Sequence, residues 1–92
     1  MPRVIITAQV KDPVKWEEGF RKHMSTFFQN YSIKNQIDFT VDGNESVICA
    51  EVGDMDVFQK GMASQATADA MDAHGVKRET AKVYVLDKGI KL

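Results

Sequence analysis

Cysteine is all but missing. The one thiol, Cys49, excludes an intrachain disulfide and cannot by itself build a thiolate metal site. Histidine is scarce as well. His23 and His74 have no paired ligand spacing, so neither a metal nor another cofactor is expected. No apolar run approaches the roughly 18 residues that a bilayer-spanning helix requires. The N-terminal MPRVIITAQV alternates like a strand and does not read as a signal peptide. Neither sign of charge dominates: 12 basic and 13 acidic side chains give a net charge of −1. That balance offers no electrostatic case for a nucleic-acid or membrane partner. There is no glycine-rich phosphate loop, linker or low-complexity segment. A soluble, cytoplasmic protein is the expectation.

What is present reads as one domain over residues 1–92. A chain this short buries only roughly 60–65% of its unfolded surface, so pairing with a second copy would add useful burial. Residues 3 to 10 alternate: Val4, Ile6, Ala8 and Val10 share one face of a strand. Asp12-Pro13 is a helix start, because Asp caps the free amides and Pro lacks an N–H that would be unpaired there. On a helical wheel with Trp16 at zero, Phe20, Phe27, Tyr31 and Met24 fall within about 80° of it. The spacing predicts one helix from about residue 13 to 30.

Residues 32 to 41 form a second strand, with Ile33, Ile37, Phe39 and Val41 on one face. Asp42-Gly43 is a hairpin signal, and residues 46 to 52 return as a third strand. Asp54 caps a short helix with Val57, Phe58 and Met62 inward. Ser64 caps a second piece whose inner face is Ala66 or Thr67 with Ala70 and Met71. Gly75 stands at a helix C-cap position. Residues 80 to 87 close the pattern, with Val83 and Val85 on the inner face. The order βαββαβ is the α+β ferredoxin-like plan: a four-stranded antiparallel sheet with its helices on one face.

The other sheet face is mixed. It carries Ile5, Val47, Cys49, Tyr84 and Leu86 beside Gln36, Asp38 and Glu51. Such a face suits an interface or a ligand cavity. Along VKDPVKWEEGF, EVGDMDVFQKGMAS and AMDAHGV the chain resembles the dimeric α+β-barrel superfamily, which includes antibiotic-biosynthesis-monooxygenase-like domains. The resemblance covers almost the whole chain. It implies a homodimer through the open sheet face and a small organic ligand held between helices and sheet or inside the barrel. These stretches carry the fold and not a reaction.

Two sets of candidate site residues follow. Gly19 costs about 1 kcal/mol in a helix interior, which close approach or an open recess would explain. That recess would be walled by Trp16 and Phe20, with His23 at its rim as an acid–base group. The alternative is a half-buried flank histidine bonded to backbone or water. On the open sheet face, Asp38 could take a proton and Tyr84 could donate to an oxyanion, with Gln36 and Glu51 as ligand contacts. The alternative there is a set of polar interface contacts paired by Lys34 and Lys82. His74 reads as helix-end chemistry, since an imidazolium suits the C-terminal dipole. The function expected is binding of a small, partly apolar organic molecule between the first helix and the sheet, with cofactor-free monooxygenase-like or proton-transfer activity. A non-catalytic dimeric binding module is the alternative.

Overall fold

The computed structural model describes residues 2–92, apart from the side chain of Phe27. The elements are β1 (Arg3–Val10), α1 (Pro13–Lys22), α2 (Met24–Asn30), β2 (Ile33–Asp42), β3 (Glu45–Val52), α3 (Met55–Met62), α4 (Gln65–Ala73) and β4 (Val76–Leu86). The strands pair antiparallel in the order β2-β3-β1-β4, which is the ferredoxin-like sheet.

The alternation read from β1 and β3 holds. Val4, Ile6, Ala8 and Val10 are buried, as are Ile48, Ala50 and Val52. Register places Val4 against Ala50 and Ile6 against Ile48, so both sets face the helices. In β2 the pairing slips between Lys34 and Ile37, and Asn35 turns to a φ of 67°. The bulge absorbs Asn35 and Gln36 and keeps Ile33, Ile37, Phe39 and Val41 on the core side. The turn at Gly43 takes a φ of 59°, a conformation that glycine adopts without steric cost. Asn44 then fastens the hairpin to β1: its amide donates to the Val10 carbonyl at 2.9 Å.

Three expectations need correction. The single helix from 13 to 30 is broken at His23, whose backbone leaves helical geometry at φ −108°, ψ 12°. Ser25, Thr26, Phe27 and Phe28 are weak helix formers, so little resists the break. The second correction is Val57, which is 41% exposed while Phe58 fills the core. The third is β4. Val83 pairs with Ile6 and Val85 with Val4, on the core face, yet they are 42% and 45% exposed. β4 is an edge strand, and no helix covers this end of it. β4 also begins earlier than the turn pattern suggests. Its register slips between Thr7 and Gln9, where the Thr80 hydroxyl accepts from the Gln9 amide at 2.8 Å.

Candidate functional site

Helix α1 starts as its residues dictate. Asp12 Oδ1 accepts from the amides of Val14 and Lys15 at 3.1 and 3.2 Å. From that cap, α1 lays Trp16 and Phe20 against the sheet with their rings stacked 5.0 Å apart. Phe39 of β2 meets Phe20 edge-on at 4.9 Å. Each such aromatic pair contributes about 0.5–1.5 kcal/mol beyond its area.

A cavity of about 490 Å³ lies beside this cluster. Its floor is Ile6 and Ala8 of β1 with Ser46 and Ile48 of β3. Trp16, Gly19 and Phe20 form one wall, and Thr67, Ala70 and Met71 of α4 form the opposite one. His23 and His74 also line it. The volume is in the range of small-molecule sites.

The inner polar groups satisfy one another. The Tyr31 hydroxyl is hydrogen-bonded to Thr67 Oγ1, whose own proton reaches the Gly61 carbonyl at 2.5 Å. Ser46 Oγ donates to the Ala8 carbonyl at 3.1 Å. Gly61 is required here, since a Cβ on it would overlap the Tyr31 ring.

The histidines are different. Among the described residues neither imidazole is engaged in a hydrogen bond or an ion pair. Their ring centroids are 5.1 Å apart. His74 lies across Gly19, so that a Cβ at residue 19 would overlap the imidazole. Partial burial, and after it the charge of His23, hold the His74 pKa below its ordinary 6.5. His74 remains the C-cap residue of α4, its amide donating to the Ala70 carbonyl at 3.0 Å. That helix-end bond is made by the backbone alone; the lowered pKa runs against an imidazolium held by the dipole, and the side chain does something the capping pattern did not signal. Fifty-odd residues separate it from Gly19, and nothing periodic links them.

The structure brings together Trp16, Gly19, Phe20 and His23, and adds His74. It does not bring Gln36, Asp38, Glu51 or Tyr84 to the cavity. These lie on the opposite face of the sheet: Tyr84 pairs with Ile5, and Asp38 with Cys49. Gln36 donates to Asp38 Oδ1, and Asn35 donates to Glu51 Oε2 at 2.9 Å. Lys34 and Lys82 form no ion pair with these carboxylates among the described residues. Arg3 donates instead to Cys49 Sγ at 3.4 Å. The described residues contain no cluster of three or more metal-ligating side chains. Among the described residues no helix is long and apolar enough to cross a membrane.

No family model matches the chain, and no curated protein matches it in sequence. Solved structures do match in fold. One is an antibiotic biosynthesis monooxygenase, at 15% identity and a TM-score of 0.69, covering 98% of this chain and 100% of the other. A second is SnoaB, a cofactor-independent oxygenase from Streptomyces nogalater, at 16% identity and a TM-score of 0.70, covering 99% and 95%. A third is a monooxygenase of Streptomyces coelicolor in complex with nanaomycin D, at 12% identity and a TM-score of 0.61, covering 99% and 90%. Element order, sheet order and these likenesses agree: the chain has a ferredoxin-like fold, similar to that of solved antibiotic biosynthesis monooxygenases.

Proposed function

We propose that the protein binds a small, partly apolar organic molecule in the cavity between α1, α4 and the sheet, and that His74 and His23 serve it as proton-transfer groups. The observation that carries this reading is the cavity itself: about 490 Å³, walled by Trp16 and Phe20, with two imidazoles that make no hydrogen bond or ion pair among the described residues. A lowered pKa keeps His74 neutral near pH 7, the form that accepts a proton. Proton removal from an acidic methylene beside an electron-rich ring gives a carbanion that can reduce dioxygen. One oxygen atom then enters as a carbonyl, and the other leaves as water with the two methylene hydrogens. No cofactor is needed for that balance. The cofactor-independent oxygenase among the structural neighbours supports this chemistry by analogy of fold, which is a weaker warrant than the site.

Two copies would pack through the open sheet face, where Ile5, Val47, Tyr84 and Leu86 meet. Gln36, Asp38 and Glu51 then act as polar contacts of that interface or line a second space inside the barrel. The direct test is mass spectrometry of the protein as purified, followed by titration of whatever is found. Ala70→Phe, which fills the cavity, should abolish binding while the fold persists, and His23→Ala should weaken it. Full binding to the filled variant would place the ligand elsewhere.

A further inference from the structure

Gly19, His23 and His74 belong to two spaces at once. They line the apolar cavity, and they also line a shallower, open recess on the outer side of α1. The rest of that recess is charged: Lys15, Glu18, Arg21 and Lys22. The two imidazoles thus stand where an apolar chamber meets a basic rim. We infer that the ligand of this site is an amphipathic carboxylate, its apolar body in the cavity and its carboxylate at the His23–His74 pair beneath Lys15 and Lys22. This rests on the reading above and names the class of molecule it takes.

The charges around the pair decide the sign. On α1, Arg21 is committed to Glu17 at 2.9 Å and lies over the Phe39 ring. Lys15 and Lys22 make no ion pair among the described residues, and Glu18 alone opposes them on that rim. On α4, Asp69 lines the cavity and accepts from Gln65 Nε2 at 2.9 Å. Asp72 is neutralised by Arg78 of β4 at 3.0 Å. Lys11, from the loop after β1, packs beside Gly75. The mouth is therefore net cationic once either imidazole takes a proton, and the wall behind it is mostly apolar, with Asp69 as its carboxylate.

A single carboxylate fits better than a phosphate. The two imidazoles, with centroids 5.1 Å apart, are close enough for one carboxylate to bridge, and the phosphate cradle of successive free amides is missing from the sequence. A bound carboxylate also removes the repulsion between the two rings. It draws a proton onto them, so binding takes up a proton and strengthens as the pH falls through the histidine range.

The test uses one apolar body with and without the charge: naphthaleneacetate and its neutral amide, titrated calorimetrically into the intact protein. The carboxylate should bind about tenfold tighter than the amide near pH 6, and the ratio should fall to about threefold or less near pH 8. His74→Gln and His23→Gln should each bring the pH 6 ratio down to about threefold or less, with the amide affinity of each variant measured alongside as its own reference. Lys15→Gln with Lys22→Gln, both on exposed side chains, should lower the ratio about twofold without touching the fold. Equal binding of acid and amide at both pH values would overturn the carboxylate and leave the apolar site standing. Binding of neither probe would overturn both.

Discussion

The imidazole of His74 occupies the space that a side chain at Gly19 would need. A helix-interior glycine and a helix-capping histidine, far apart in the chain, thus form one contact. The recess expected beside Gly19 is not empty at its rim. His74 fills it, and the open volume lies behind the ring. Gly19→Ala gains up to about 1 kcal/mol of helix propensity but forces the ring away, an overpacking cost of about 1–3 kcal/mol. A net loss of up to about 2 kcal/mol in urea unfolding is expected. In a His74→Ala background the same change should turn stabilising. A loss of equal size in both backgrounds would mean that the ring does not set the cost.

Acid should weaken the fold partly through His74. Its pKa is lowered in the folded protein relative to 6.5, by burial first and by His23 second. Between the folded and unfolded values the unfolded chain holds more protons, so stability rises with pH in that interval. The contribution of His74 is complete above about pH 6.5 and is lost as pH falls through the folded pKa. Denaturation midpoints measured across that range should drop less steeply for His74→Gln than for the wild type. Parallel profiles would assign the acid loss to other groups.

The fold was legible because burial writes itself at period two. Val4-Ile6-Ala8-Val10 and Ile48-Ala50-Val52 can bury together only as strand faces; Asp12-Pro13 marks the end of the first and Asp42-Gly43 the turn that leads into the second. The Asn35–Gln36 bulge was not legible: Ile33 and Ile37 share a face in a regular strand anyway, and looping out two residues leaves the alternation unchanged. The exposure of Val83 and Val85 was not legible, because alternation tells which face a residue is on and not whether a helix reaches it. Of the site, Trp16, Phe20, Gly19 and His23 were readable from one helix. His74 was not, because a contact between two helices leaves no local periodicity in either.

Tyr31 anchors the inner end of the cavity through Thr67 and the Gly61 carbonyl. Tyr31→Phe removes one buried hydrogen bond and leaves the ring in place. It should cost about 1 kcal/mol, since Thr67 keeps its bond to Gly61. Gly61→Ala pushes on the ring itself and should cost more, about 1–3 kcal/mol. Chemical denaturation orders the two. A larger loss for Tyr31→Phe would show the hydroxyl chain to matter more than the ring packing.

The open sheet face makes the assembly testable. Tyr84 and Leu86 are 50% and 43% exposed on one protomer, beside the half-buried Ile5, Val47 and Cys49. Sedimentation at micromolar concentration should give twice the 10.3 kDa chain mass. Leu86→Glu or Val47→Glu would bury an unpaired carboxylate in that contact, and a buried charge without a partner is costly. Each should raise the dimer dissociation constant by about tenfold or more, with the monomer still folded by circular dichroism. Because the cavity lies on the other side of the sheet, naphthaleneacetate affinity should change little in the dissociated variants. A wild type that stays at 10.3 kDa would remove the dimer, and a variant that loses the ligand together with the dimer would show that the cavity depends on the partner subunit.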